Sequence, residues 1–518
     1  MTENSVLSAP PSRKRATIVN LIRSYANVII EIIRGIVLIP LYLQFIDSRL
    51  YGAWMATGSI VALLGMSDFG LNSVIVQKIA SLSGQKNQHK MGGMIGTSLV
   101  VAFTLSLLPL IISGIIYKKI PFIVKIDGDE ALQLSHAFLI AALATSLMLI
   151  NYAIGGIFLG LQRTEVYTIM YTVSRIISII ASIIFLISGL GLISLPLSYA
   201  VGTIILVIGN VCYLRFWLKR NIVKNSISFE FSYFRELFNK SVWVFLSQFS
   251  KTAVFHADKL IVASLIDPAA TTILVFSKKA SDLMNTIVIQ IAFALMPGLA
   301  NLFGQGDIVN LRKYMIKSIK YSLIFGLFTG GGIFLFNKQF VSLWVGEDYY
   351  GGTLLTGLIV SSGLIYVLNT VLYNNLFSNE KISFTSKATL IESFVRIPLS
   401  ILLCYYFGIN GVVFAVTLAV LPTSFFMQTR FMLKISNLSW IQGFRGIMSV
   451  FIKACIPIIV SWLIFIIWAP PATLFGFILC GILYSGLSVV FYYYVDNDFQ
   501  LLILMLLKKI GFKKKSYT

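Results

Sequence analysis

Runs of about twenty or more mostly apolar residues follow one another along nearly all of the chain, with only short polar breaks between them. A helix of about twenty residues is about 30 Å long, the thickness of the hydrocarbon core of a bilayer. Inside lipid every backbone amide must find its partner within the protein, which leaves helices or a closed barrel. A barrel needs alternating segments of about ten residues, and the runs here are longer and continuous. Composition agrees. Hydrophobic residues make up 57% of 518 and charged residues 12%, against about 25% charged in soluble domains. The chain is expected to be an all-α polytopic membrane protein.

Spans are predicted near 18–46, 53–80, 91–118, 132–160, 167–188 and 195–218, then 240–266, 271–300, 313–337, 353–378, 386–407, 411–434, 449–468 and 473–495. That makes about fourteen helices. The first run is too long for a signal-peptide core and reads as a transmembrane helix.

Lys and Arg outnumber Asp and Glu by 41 to 20, a net charge of +21. Topology accounts for this excess without nucleic acid. Basic residues crowd one set of alternate connections, including Lys86, Lys90, Lys219, Arg220, Arg312 and Lys313 and the tail from Lys508 to Lys515. The other set carries few, Arg49, Lys118, Lys119, Lys125 and Lys338, together with Asp127, Asp129, Glu130, Asp267, Glu347 and Asp348. By the positive-inside rule both termini are cytoplasmic and the helix count is even. The basic stretch 499–515 is either a helix along the inner membrane surface or a frayed tail.

The chain also repeats itself. Ala80-Ser81-Leu82-Ser83-Gly84-Gln85 follows the second span, and Ala300-Asn301-Leu302-Phe303-Gly304-Gln305 follows the eighth, 220 residues later. Asn151 to Arg163 and Asn369 to Lys381 form a second pair at an offset of 218. An offset of six helices preserves orientation, so parallel repeats are expected. The expected organisation is a basic cytoplasmic tail, 1–17; an N-lobe, 18–218; a cytoplasmic linker, 219–239; a C-lobe, 240–434; two added helices, 449–495; and a basic cytoplasmic tail, 496–518. Two six-helix lobes facing each other across a cleft suit alternating access.

Ionisable groups at membrane depth cost several kcal/mol unless they face a cavity or a partner. Arg23, Asn27, Glu31 and Arg34 share one helical stripe. So do Gln248, Lys251, Phe255 and Asp258, with Lys259 alongside, and Lys278, Asp282 and Asn285, with Lys279 alongside. Asp68 and Asn72 lie one turn apart, and Arg175 occupies the fifth span. Arg34, Lys251, Lys278, Lys279 and Arg175 are the candidate substrate cavity. Glu31, Asp68, Asp258, Lys259 and Asp282 are candidates for coupling or gating. Glu392 and Arg396 read as a self-neutralising structural pair. A cationic cavity calls for an anionic substrate, phosphate or pyrophosphate, held by charge-assisted hydrogen bonds. Tyr25, Tyr42, Tyr152, Phe255 and Tyr373 offer faces for sugar rings, or serve as ordinary membrane packing.

Cys212, Cys404, Cys455 and Cys480 sit in apolar runs, and His89, His136 and His256 are scattered, so no metal site is expected. The longest outer loops, 119–131 and 338–352, are too short for a catalytic domain, and no GxxxxGK[ST] loop offers direct ATP use. Catalytic residues and cofactors are therefore not expected, although a buried acid could couple transport to a proton or sodium gradient.

Tyr51-Gly52-x-Trp54 and Asp68-Phe69-Gly70-Leu71, with Asp258-Lys259-Leu260-Ile261, Pro297 and Leu302-x-Gly304-Gln305-Gly306-Asp307 in the second half, resemble the pattern of polysaccharide repeat-unit flippases. These are O-antigen (Wzx-type) translocases of the multidrug/oligosaccharidyl-lipid/polysaccharide exporter superfamily. The resemblance implies a MATE-like fold and a substrate linked to undecaprenyl pyrophosphate, moved to the outer leaflet of a bacterial inner membrane for surface polysaccharide such as lipopolysaccharide. It also implies a polymerase and a chain-length regulator as partners. The alternatives within this fold are a MATE-type drug or cation antiporter, whose cavity is expected to be acidic or apolar, and a peptidoglycan-precursor flippase.

Overall fold

The computed structural model describes residue 30 and residues 33–85, 88–161, 163–221, 227–378, 382–435, 440–468, 473–496 and 500. All regular structure among them is helical. The first helix, α1, is described over Ile33–Phe45. It is followed by α2 (Ser48–Leu64), α3 (Leu71–Gly84), α4 (Gln88–Ile116), the short α5 (Ile120–Ile123), α6 (Gly128–Gly160), α7 (Thr164–Ile187) and α8 (Ser194–Asn221). Then come α9 (Phe231–Leu265), α10 (Pro268–Gly304), α11 (Ile308–Trp344), α12 (Gly352–Ser378), α13 (Ile382–Val420), α14 (Phe426–Ile435), α15 (Trp440–Trp468) and α16 (Leu474–Val495).

Nine stretches among the described residues are long and apolar enough to cross a membrane. One of them, Lys387–Lys434, runs through two spans that the sequence separates near 408. The separation is local: Gly408, with φ 58° and ψ −139°, breaks the helical backbone inside α13. One span expected to be a single helix is two. Between α2 and α3 the chain makes a 3-10 turn over Gly65–Asp68, and then Phe69 and Gly70 both take left-handed backbone conformations. The broken helix coincides with the Asp68-Phe69-Gly70-Leu71 motif.

The chain divides into two compact units, Met1–Thr272 and Ile273–Thr518, and the division falls inside α10. The sequence repeat starts its second copy at α9, whereas packing against α2, α3 and α4 places α9 in the first unit. Small residues set the close crossings. A Cβ on Gly156 would meet Asn72 Oδ1 at 2.6 Å, and one on Gly160 would meet Ile79 at 2.7 Å, so α6 lies directly on α3. Gly202 brings α8 onto Ser174 and Ser178 of α7 in the same way. In the second unit Tyr484 of α16 donates to the carbonyl of Phe328 at 2.6 Å, and its ring stacks on Phe328. Lys320 of α11 pairs with Asp496 at 2.7 Å just beyond α16. These contacts fasten the added helices to α11.

Candidate functional site

The first unit gathers its interior charge around tyrosines. Gly202 lets α8 press on α7, and Arg175 lies one residue beyond Ser174 in that seam. Its guanidinium donates to Tyr171 Oη at 2.8 Å and lies 4.8 Å from the centre of that ring. The i, i+4 spacing on α7 produces this pair. Arg34 of α1 lies within electrostatic reach of the Tyr42 hydroxyl, which meets Ser182 Oγ at 3.0 Å. Tyr199 of α8 lies within electrostatic reach of both Arg34 and Arg175. Arg175, Tyr171, Tyr199, Ser174 and Thr203 line one narrow cleft. Two of the predicted cavity cations, from α1 and α7, therefore share a tyrosine neighbour.

Asp68 borders a second cleft with Asn72 and Tyr152. Its carboxylate accepts the Gly70 N–H at 3.1 Å and the Asn72 N–H. An acceptor at these amides satisfies donors that the first turn of α3 leaves open and complements the positive end of the helix. The aromatic ring of Phe69 packs on Phe245 of α9 at 4.6 Å, and Thr252 of α9 donates to Met66 Sδ at 3.5 Å. A non-glycine residue held left-handed is strained by about 1 to 3 kcal/mol and persists only where its surroundings hold it.

The Tyr51-Gly52-x-Trp54 motif has a packing reason. A Cβ on Gly52 would overlap the Pro268 carbonyl and crowd Thr272, and Thr272 Oγ1 donates to the Ser48 carbonyl at 2.8 Å. On the same side, Arg49 pairs with Asp267 at 3.5 Å and donates to the Lys125 carbonyl at 3.0 Å, while Lys125 Nζ reaches Leu265 O at 3.1 Å. At the opposite end of α3, Lys78 pairs with Glu236, and Glu230 N donates to Thr97 Oγ1 at 2.9 Å.

The second unit surrounds its cations with acids. Gly363 admits α12 against α10, because a Cβ there would meet Asn285 Nδ2 at 2.8 Å and Ser281 Oγ at 3.0 Å. One turn on, Tyr366 lies within electrostatic reach of Lys278, Asp282, Glu392 and Arg396. Lys278 Nζ is 3.9 Å from Asp282 Oδ1. Glu392 and Arg396 are buried, 8% and 7% exposed. Helical spacing pairs Lys278 with Asp282 and Glu392 with Arg396, and all four lie within electrostatic reach of Tyr366.

Ser424 Oγ donates to Glu392 and accepts from Asn369 Nδ2 at 2.9 Å. Ser424 belongs to a π-helical turn, Leu421–Phe425, a type of irregularity frequent at functional sites.

Glu31 lies outside the described residues, as do Arg23 and Asn27. Lys251 belongs to α9, with its side chain outside the description. Asp258 is buried at 4% exposure in α9, and the neighbouring Lys259 offers its carbonyl to Thr271 at 3.4 Å. Lys279 is half-buried beside Lys278. Sequence reasoning missed Tyr171, Tyr199, Ser182, Tyr366 and Ser424. Only Tyr171, one turn before Arg175, carried a local signal.

Comparison with known proteins agrees with this architecture. A family described as polysaccharide biosynthesis protein matches residues 20–303. A curated protein of Shigella flexneri named "Putative O-antigen transporter" is 22% identical over 304 residues, 58% of this chain and 69% of that protein. Among solved structures, the lipid II flippase MurJ in an inward closed conformation superposes with a TM-score of 0.72 at 14% identity, over 93% of this chain and 99% of that one. An inward-facing multidrug resistance MATE family transporter superposes with a TM-score of 0.65 at 13% identity, over 79% of this chain and 99% of that one. The fold is MATE-like.

Proposed function

The chain belongs to the polysaccharide biosynthesis protein family, and from that premise we propose that it is a flippase for a lipid-linked oligosaccharide. It moves a glycan carried on undecaprenyl pyrophosphate from the cytoplasmic to the outer leaflet of a bacterial inner membrane, by alternating access and with both termini cytoplasmic. It makes and breaks no covalent bond. The observation that carries this reading is the gathering of Arg34 and Arg175 with Tyr42, Tyr171 and Tyr199 inside the first unit. Guanidinium groups suit a pyrophosphate, which accepts paired charge-assisted hydrogen bonds. Tyrosine faces and hydroxyls suit sugar rings. Lys251 of the first unit supplies further positive charge to the head group, Lys278 and Lys279 are cations of the second unit, and the polyprenyl tail stays in lipid. A polymerase and a chain-length regulator act downstream on the delivered repeat unit.

The deciding experiment locates lipid-linked glycan in cells depleted of this protein. Accumulation in the inner leaflet with loss of surface polysaccharide is expected. Normal glycan export with altered drug tolerance alone would instead make the chain a drug or cation antiporter.

A further inference from the structure

The first two turns of α9 carry apolar side chains on two faces. One face is packed. Leu237 is buried in a cluster with Leu214 of α8 and Met91 and Met94 of α4, and Tyr233 packs against it. On the same side Glu236 pairs with Lys78 of α3, and Gly93 and Gly96 of α4 let Glu230 and Ser228 approach closely. The other face is exposed. Phe231, Phe234, Arg235 and Phe238 fall at i, i+3, i+4 and i+7, one stripe of an α-helix. The rings of Phe231 and Phe238 lie 5.6 and 6.1 Å from that of Phe234, and Phe229, just ahead of the helix, adds a fourth ring at 6.4 Å. Phe229, Phe231 and Phe238 are 50%, 69% and 57% exposed, and Arg235 is exposed in their midst.

Depth and charge say what this face meets. At 35 residues α9 is about 50 Å long, some 20 Å more than the hydrocarbon core. Its first turns therefore reach headgroup level. They lie beside the end of α8, since Trp217 and Leu218 pack on the same cluster as Leu237. That end carries exposed Lys219 and Arg220, and the Arg220 guanidinium lies 4.7 Å from the Phe216 ring. By the positive-inside rule this is the cytoplasmic side. Water is a poor neighbour for four phenylalanines, and hydrocarbon alone is a poor neighbour for Arg235. Apolar rings interleaved with cations fit the boundary between acyl chains and anionic headgroups.

We propose that this face of α9 is a docking surface for anionic phospholipid of the inner leaflet, with the phenylalanine rings among the first acyl carbons and Arg235 at the headgroup phosphate. Residues 227–238, expected from sequence to be part of a cytoplasmic linker, then form an interfacial anchor that sets the depth of α9. The opposite face of the same turns is fixed to α3 and α4, so the lipid holds the inner end of the first unit as well. The inference does not rest on the identity of the transported substrate.

The test uses the full chain with Cys212→Ala and Cys455→Ala, which removes the cysteines that are not buried, and a bimane label on Phe238→Cys. The protein is placed in nanodiscs of phosphatidylcholine mixed with phosphatidylglycerol, and one or the other lipid is brominated. Brominated phosphatidylglycerol is expected to quench the label more strongly than brominated phosphatidylcholine at the same mole fraction. Arg235→Ala should lower that preference by about fivefold, the effect of one cation beside an anionic surface, and added salt should weaken it. A label on Phe231→Cys gives the same readout if Phe238→Cys folds poorly. Quenching by iodide with none by either brominated lipid would overturn the proposal and turn the face toward a cytosolic protein or a second copy of the chain. Equal quenching by the two lipids, unmoved by Arg235→Ala, would also overturn it, leaving hydrocarbon contact without headgroup recognition.

Discussion

The two units treat buried positive charge differently. In the first, Arg34 and Arg175 lean on phenols, through Tyr42 and Tyr171. In the second, Lys278 has Asp282 one turn away and Arg396 has Glu392. A phenol is a neutral donor and acceptor near pH 7, so it orients a guanidinium without cancelling its charge. A carboxylate both orients and cancels, until it is protonated. The first arrangement leaves the guanidinium charge uncancelled at every pH near neutrality, and the second sets an acid beside each cation.

The strongest way to break this comparison is to remove the uncancelled charge. Arg34→Ala with Arg175→Ala is expected to lower glycan export by about 100-fold, since each charge-assisted hydrogen bond contributes roughly 1.5 to 3 kcal/mol. The loss should be the same at all pH values, read as surface polysaccharide at matched protein levels. Lys251→Ala with Lys278→Ala asks the same of the lysines. Unchanged export by either pair would remove those residues from the cavity.

Lys320 and Asp496 show what a purely structural ion pair should do. Their side chains are 23% and 10% exposed. Lys320→Ala takes the cation away from a mostly buried carboxylate and should destabilise the chain by about 3 kcal/mol, seen as a lower melting temperature in detergent.

Close helix crossings offer a milder probe. Gly363→Ala and Gly202→Ala put a methyl group against Asn285 in the second unit and Ser178 in the first. Each should cost about 1 to 3 kcal/mol of stability, read as a lower melting temperature.

The smallest effect belongs to an acid that acts only as a cap. Asp307 accepts the Asn310 N–H at 3.1 Å and the Asn310 side chain at 2.7 Å at the start of α11. The side-chain bond and then the backbone bond hold its carboxyl below the usual carboxylate range. A depressed folded-state value means a contribution present above the unfolded-state pKa and lost as the pH falls through the folded one. Asp307→Ala should lower the melting temperature slightly at neutral pH and not at all in strong acid.

Much of the fold was legible. Long apolar runs place the helices, because lipid forces every backbone amide into one. The i, i+4 spacing of Tyr171 with Arg175, Lys278 with Asp282, and Glu392 with Arg396 carried local pairing. The break at Asp68-Phe69-Gly70 was not readable as a break: apolar continuity masks it, and Phe69 is an unfavourable residue for a left-handed turn. The structure places Asp68, a candidate for coupling or gating, with its carboxylate at the amides that open α3.

By itself, the sequence determined a multi-pass helical protein with charge at membrane depth, since hydrophobic length and helical period are local properties. Only tertiary structure decided which charges share an environment. α12 lies against Asn285 and Ser281 of α10 because Gly363 lacks a side chain there, and Tyr199 lies near Arg175 because Gly202 lets α8 close on α7. Helix contacts of that kind join residues far apart in the chain, and no local pattern encodes them.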